Sequence, residues 1–244
     1  MSSLTADISV VVFASRQGIL LQGTMLSVER AVGEAREAGM NVEVLVATYA
    51  ADKKTAAWVR ERSPYRVLST ADSCLGKARN LALDETRGHH VAFLDGADIW
   101  SRNFLVGAAE QDQRVKRDVV WRPAVSIGFA NDYFDASGYS VRQIPNSSDF
   151  DRSSILVDNP FPSTFFARRR IVETHRFPTE DLKRGWTDVD WWWNANLLGY
   201  DIEQITVPDT LHYFRSSLAQ ERARENGTVR LGPTALELGK RRRG

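Results

Sequence analysis

Gly76-Lys77-Ala78-Arg79-Asn80, followed one helix-length later by His90-Val91-Ala92-Phe93-Leu94-Asp95-Gly96-Ala97-Asp98-Ile99-Trp100, is the stretch whose reading decides the fold. The apolar spacing through Leu81 and Ala82 predicts a helix with Gly88 as its C-terminal stop. Val91 to Leu94 is a short apolar run of the buried-strand type. Asp95 and Asp98 then stand at the strand's carboxyl end. In open α/β sheets ligands gather at that edge, and hard oxygen ligands there suit Mg²⁺ or Mn²⁺ held against a diphosphate.

Outward from this block, strand-like and helix-like segments alternate at short spacing, the pattern of a mainly parallel sheet covered by helices. Ile8 to Phe13 is the first predicted strand. Met25 to Ala38 reads as a helix stopped by Gly39, Val42 to Ala47 as a strand, Lys53 to Arg62 as a helix ended by Ser63-Pro64, and Tyr65 to Leu68 as a short strand. Beyond Trp100 come a helix over Asn103 to Val115 and a strand over Val119 to Phe129 on either side of Pro123. Asn131 to Asp158 turns polar and reads as a loop or hairpin, placed for acceptor contacts. Ser163 to Ala167 and Ile202 to Val207 then read as strands, Val189 to Leu198 as a helix stopped by Gly199, and Ser216 to Glu225 as a last helix. No internal repeat is present.

The chain has 244 residues and 43% hydrophobic content, enough for one substantial core, and one domain is the expectation over 1–244. Its Lys+Arg total of 32 against 31 Asp+Glu argues against nucleic-acid binding. The Lys240-Arg241-Arg242-Arg243 tail is locally basic; it reads as solvated, with a weak peripheral contact to anionic headgroups as the other reading. A single cysteine, Cys74, excludes an internal disulfide framework and a cysteine-based zinc site, as expected of an intracellular protein. Met1 to Asp7 lacks the basic and apolar regions of a secretory leader, and no run reaches the roughly 18 apolar residues of a membrane span. A cytoplasmic protein, at most peripheral to the inner membrane face, is the expectation.

The two opening blocks resemble the G-x-x-x-A-R-N and F-L-D-x-D-D motifs of family 2 glycosyltransferases, whose fold is of the GT-A type. The resemblance extends from Ile8 to about Ala219, is specific in three places, and departs from the family pattern in each. It implies a Rossmann-like nucleotide-binding half over about 1–130, an acceptor-binding and catalytic half over about 131–225, and a tail over 226–244. Where family members carry Asp-Asp-Gly-Ser-x-Asp, this chain has Ala47-Thr48-Tyr49-Ala50-Ala51-Asp52. Asp52 matches the last acid, and Thr48 or Tyr49 would replace the missing base-reading carboxylate. A hydroxyl both donates and accepts, so the base need not be uracil.

The Asp-x-Asp-Asp motif is Asp95-Gly96-Ala97-Asp98, which implies Asp95 against the ribose or the metal and Asp98 as a ligand of Mg²⁺ or Mn²⁺. Capping of the helix near Ser101 is the alternative for Asp98. In the entry loop Ala14-Ser15-Arg16-Gln17-Gly18, backbone N–H groups from Ala14 onward and the Arg16 cation suit a nucleotide, although Arg16 also reads as an exposed loop residue. Lys77 and Arg79 would be cations for the diphosphate or the sugar, or simply solvated helix residues. Gly185-Trp186-Thr187-Asp188-Val189-Asp190-Trp191-Trp192-Trp193-Asn194 resembles the family's Glu-Asp-x-Asp-x-Trp, which implies Asp188 as general base with Asp190 as its substitute; first-turn acids complementing a helix dipole are the plainer reading. Three consecutive tryptophans point about 100° apart around a helix, so at least one is expected to be exposed. In Leu211 to Ser217, Arg215 would close over the diphosphate, and His212 is a candidate metal ligand or a structural histidine. Arg168-Arg169-Arg170 reads as a solvated turn, with contact to an anionic acceptor as the other reading.

The resemblance therefore implies inverting transfer of a sugar from a nucleotide-diphosphate donor to a glycan, glycolipid or small-metabolite acceptor, with room for a homo-oligomer. The rival is a non-catalytic relative that binds a glycan, nucleotide or protein partner, because alanines stand at positions 47 and 97. A nucleotidyltransferase would want a Gly-rich phosphate loop after the first strand, and Ala14 to Gly18 is too poor in glycine for that.

Overall fold

The computed structural model of the chain describes residues 4–129, 139–156, 159–179 and 189–215. Asp188, the predicted helix over Ser216 to Glu225, the basic tail and part of the Asn131 to Asp158 segment lie outside the described residues. In chain order the elements are β1 (Ala6–Ala14), α1 (Leu21–Glu37), β2 (Val42–Tyr49), α2 (Lys53–Arg62), β3 (Arg66–Thr70), α3 (Leu75–Glu85), β4 (Gly88–Asp95), β5 (Ile99–Trp100), α4 (Phe104–Arg114), β6 (Val119–Phe129), β7 (Tyr139–Gln143), β8 (Phe165–Arg168), α5 (Arg169–Thr174), α6 (Val189–Gly199) and β9 (Glu203–Arg215). Short 3-10 turns occupy Gly18–Leu20 and Arg152–Leu156. No helix among the described residues is long and apolar enough to cross a membrane.

The strands form one sheet in the order β3-β2-β1-β4-β8-β6-β9-β5, with β7 paired to β6. β1 to β4 are mutually parallel, and β8 runs against both β4 and β6, so β6 and its parallel neighbour β9 point the same way as β1. The carboxyl ends of β1, β2, β4, β6 and β9 therefore reach one edge, which gathers Ala14, Thr48, Asp95, Phe129 and Arg215. The expected mainly parallel sheet flanked by helices is the architecture found.

Strand alternation divides the core in two. Ile8, Val10 and Val12 of β1 face α1 and α4, packing with Met25, Val28, Phe104 and Leu105. Val11 and Phe13 face the opposite side, with Ala78 and Ala82 of α3, Val172 of α5 and Trp193 of α6. The tryptophan run resolves as its helical spacing demands: Trp193 is buried, Trp191 is half-buried with its indole N–H on the Ile155 carbonyl, and Trp192 is 47% exposed.

Several boundaries differ from the sequence reading. Gly88 does not stop α3, which ends at Glu85; it opens β4. A Cβ there would lie 2.4 Å from the Ser9 nitrogen, so the residue is small to let β4 lie against β1. The strand predicted over Ile202 to Val207 continues to Arg215, and Asn131 to Asp158 contains the hairpin partner β7. Of Arg168 to Arg170, read as a solvated turn, only Arg170 is exposed, and the run joins β8 to α5. Arg168 donates to the Asp112 carboxylate at 2.8 Å and to the carbonyls that end α4, while the buried Arg169 binds Glu173 and Thr86.

Asp112 is the hub of that corner, receiving His90 Nε2 at 3.0 Å and Trp121 Nε1 at 3.1 Å besides Arg168. Burial pushes its carboxyl up, but the hydrogen bonds from His90, Arg168 and Trp121 outweigh it and hold the group below the ordinary carboxylate range. A depressed folded pKa means that the folded state binds fewer protons than the unfolded chain. The stabilisation is therefore complete above the ordinary carboxylate pKa of about 3.9 and is lost as pH falls through the lower folded value. Asp112→Ala is expected to lower stability by about 3 kcal/mol at neutral pH, with the deficit shrinking below about pH 4 in denaturant titrations.

Candidate functional site

At the carboxyl edge the β4 register pairs Asp95 with Phe13, and the chain then turns sharply. Gly96 donates to the Phe13 carbonyl at 2.6 Å and Ala97 N–H to Thr24 Oγ1 at 2.8 Å, with Asp98 N–H returning to the Asp95 carbonyl at 2.9 Å. Ala97 is held at φ +105, a region that residues with a Cβ rarely enter, and is wholly buried. Such strain costs on the order of 1–3 kcal/mol and concentrates at functional sites. Here it aims Asp98 across to β9.

Asp98 and His212 meet there. The Asp98 Oδ2 to His212 Nε2 distance is 3.1 Å, and both side chains are at least nine-tenths buried. Asp98 is thus not the cap of α4, whose N-cap is Asn103, with no side-chain capping bond. His212 Nδ1 lies 3.0 Å from Ser126 Oγ on β6, and the ring stacks on Phe214 at 5.6 Å. The sequence reading did not single out Ser126; only the β6–β9 register, which sets Ser126 opposite His212, reveals it.

The pair suits a divalent cation. Two adjacent ligands of an octahedral ion with bonds of about 2.1 Å stand about 3 Å apart, so a spacing that serves a hydrogen bond also serves two cis ligands. A serine hydroxyl can accept from Nδ1–H as readily as donate to Nδ1, which leaves the Nε2 lone pair available to metal. Among the described residues no cluster of three or more acidic, His or Cys side chains forms, so remaining ligands would come from water and a bound diphosphate.

Asp95 is 2% exposed and accepts from Arg79 Nη2 at 3.4 Å. Arg79 is wholly buried, and its other terminal nitrogen reaches Asp190 on α6 at 2.5 Å. Burial pushes the guanidinium down, but the two carboxylates more than reverse this and leave it firmly charged. Arg79 therefore links the carboxyl edge of the sheet to the first turn of α6. Lys77 is exposed and pairs with Asp72 at 2.9 Å.

The remaining predicted residues ring the same edge. Asp52 caps α2 by accepting the Thr55 N–H at 2.7 Å; burial raises its carboxyl, and the Thr55 bonds with the nearby Lys54 and Arg16 charges lower it further than burial lifts it. Arg16 is exposed after the buried Ala14. Thr48 Oγ1 donates to Ser69 Oγ on β3 at 2.8 Å. Arg215 ends β9 with a buried Nε that has no hydrogen-bond partner among the described residues.

No family model matches this chain, and no curated protein matches it in sequence. Solved structures similar to it include S. aureus TarS and a mannosyltransferase. S. aureus TarS 1-349 superposes with a TM-score of 0.58 at 18% identity over 86% of this chain and 60% of that one. The same protein with UDP-GlcNAc gives 0.59 at 19% identity, covering 86% and 58%. The mannosyltransferase PcManGT from Pyrobaculum calidifontis, in complex with GDP-Man and Mn²⁺, gives 0.56 at 16% identity over 86% and 59%. The fold is of the GT-A type. The chain spans about three-fifths of the length of these structures, and at such identities the likeness speaks for the fold alone.

Arg122, which the sequence reading passed over, is a further buried cation, on β6 of this GT-A sheet. It is 1% exposed on β6 and donates to the Gln204 side chain at 2.9 Å, the Pro162 carbonyl at 2.6 Å, the Thr164 carbonyl at 2.9 Å and Asn194 Oδ1 of α6 at 2.6 Å. Those acceptors are all neutral, so burial pushes its pKa down to about 9. Its sequence signal is a charged residue between Trp121 and Pro123 inside a buried strand. A cavity of about 370 Å³ lined by His90, Asp112, Arg168 and Arg170 lies at the opposite edge of the sheet, and its arginines are engaged by Asp112, Glu173 and Asp118.

Proposed function

We propose that this chain is a glycosyltransferase that moves a sugar from a nucleoside-diphosphate donor to an acceptor hydroxyl with inversion. The observation that carries the reading is the buried Asp98–His212 pair at the carboxyl edge, with Asp95 and Arg215 at the same edge. Asp98 and His212 would hold Mg²⁺ or Mn²⁺, which offsets charge developing on the departing diphosphate. The donor complexes of the neighbours, with UDP-GlcNAc in one and GDP-Man and Mn²⁺ in another, support this donor class.

Arg215 supplies a cation for the diphosphate at the end of β9, and Asp95, oriented by Arg79, accepts from a donor hydroxyl. Asp188 takes the proton of the acceptor hydroxyl as its oxygen bonds to the anomeric carbon from the face opposite the leaving group, and the bond to the diphosphate oxygen breaks. Asp190 is bound to Arg79 and would have to leave that ion pair to act as the base, so the role falls to Asp188 in this reading. Thr48 with Ser69, rather than a carboxylate, reads the base, and the acceptor is a glycan, glycolipid or small metabolite.

Calorimetric titration with UDP, GDP, CDP, ADP and dTDP, each with and without Mn²⁺, tests the reading. One diphosphate is expected to bind in a metal-dependent way. Asp98→Ala should remove that dependence and weaken binding by at least about tenfold, since a second-shell loss alone costs 10–100-fold in metal affinity. Failure of every diphosphate to bind the folded wild type would favour the non-catalytic relative.

A further inference from the structure

We infer that Gly76 and Asn80 of α3 are positioning residues that clamp the chain on the upstream side of the catalytic carboxylates, while Arg79 of the same helix holds the downstream side. The inference rests on the glycosyltransferase reading for its consequence in turnover, and on geometry alone for the clamp.

Asn80 spends both halves of its amide on the backbone of one residue. Its Nδ2 donates to the Phe177 carbonyl at 2.9 Å, and Phe177 N–H donates to its Oδ1 at 3.1 Å, the exchange that a neighbouring strand would otherwise provide. Gly76 lets the next residue lie directly on the helix, because a Cβ there would stand 1.8 Å from the Pro178 carbonyl oxygen. Glycine inside a helix costs about 1 kcal/mol relative to alanine, and close approach of this backbone is what that cost secures. Arg176 adds an ion pair to Asp84 at 2.6 Å, and the Phe177 ring lies between the Arg79 guanidinium, 5.0 Å from its centroid, and Trp193 at 4.8 Å.

Twelve residues downstream of Pro178 the chain meets α3 again, at Arg79 and Asp190. One helix therefore holds the chain at Phe177 and Pro178 and again at Asp190 of α6. Residues Gly76, Arg79 and Asn80, read from sequence as a donor-side motif, face the acceptor-side segment; their periodicity of three and four puts them on one helical face. A clamp of this kind sets where a carboxylate sits without touching substrate, and a misplacement of about 1 Å costs on the order of 10²-fold in rate.

The test uses the full chain with Asn80→Ala and Gly76→Ala. Amide hydrogen exchange is expected to quicken by about tenfold at Phe177, whose N–H loses its Asn80 acceptor, with β4 unchanged. Affinity for UDP or GDP with Mn²⁺ should stay within about twofold. For whichever of UDP-GlcNAc and GDP-mannose the wild type cleaves, kcat should fall by about 10²-fold at unchanged donor KM. Unaltered exchange at Phe177, or a lowered Tm with kcat retained, overturns the inference. If the wild type binds no diphosphate, the glycosyltransferase reading fails, and the exchange measurement still decides the clamp. Should Gly76→Ala not fold, Asn80→Ala, which only deletes atoms, carries the test.

Discussion

Asp188→Asn is expected to slow sugar transfer by roughly 10²–10⁴-fold while leaving donor-diphosphate affinity and Tm unchanged. Inverting transfer requires a group that removes the acceptor proton as the C–O bond forms, and an amide cannot do so. Donor affinity should persist because Asp98, His212 and Arg215 lie on β9 and the turn after β4, apart from α6. The parallel variant separates the two acids. Asp190 is partnered by Arg79 at 2.5 Å, so Asp190→Asn takes the nearer counter-charge from a buried guanidinium that then retains Asp95 at 3.4 Å. Its expected signature is a lowered Tm together with slower transfer. Full turnover by Asp188→Asn would remove that residue from the mechanism, and loss of rate in Asp190→Asn without loss of stability would give Asp190 the base role instead.

The order of strands and helices was legible because period and punctuation agree. Gly39, at φ +84, and Ser63-Pro64 stop helices where the sequence reading placed their ends. Gly88 misled because a glycine after an apolar helix reads the same whether it ends that helix or admits a neighbouring strand, and only the approach of Ser9 distinguishes the two. β9 was read short since Pro208-Asp209 looks like a turn; the β6 register shifts between Pro123 and Val125 there, and pairing resumes beyond it. Asp98 and His212 were each legible as candidates, but not as a pair 114 residues apart. Arg79 was legible as a cation and not as a buried one, since burial is fixed by Asp95 and Asp190 arriving from separate elements. Arg168 and Arg169 failed likewise: consecutive arginines look solvated until Asp112 and Thr86 close around the first two, while Arg170 stays exposed beside Asp118.

The largest loss of stability is expected from Arg79→Met. Both Arg79 and Asp95 are almost fully buried, so removing the cation strands a carboxylate in the interior, a change that costs about 3–5 kcal/mol. At about 2–4 °C per kcal/mol for a chain of this size, Tm should drop by roughly 10 °C. The pH dependence identifies the cause. A neutral carboxyl is cheaper to bury than an ionised one, so the mutant's deficit should narrow as pH falls and Asp95 becomes protonated, whereas a packing defect would keep its size. Arg122→Met supplies the contrast, because the acceptors around Arg122 are neutral and no charge is stranded when it leaves. Its cost is the unmade hydrogen bonds of those acceptors, offset by relief of the desolvation that holds its pKa near 9, and should not depend on acid pH. Denaturant titrations of both variants between about pH 4 and 8 compare them. An acid-independent deficit in Arg79→Met would mean that the Asp95–Arg79–Asp190 bridge contributes packing rather than charge, and the proposal that it aligns the donor edge with α6 would then lose its electrostatic basis.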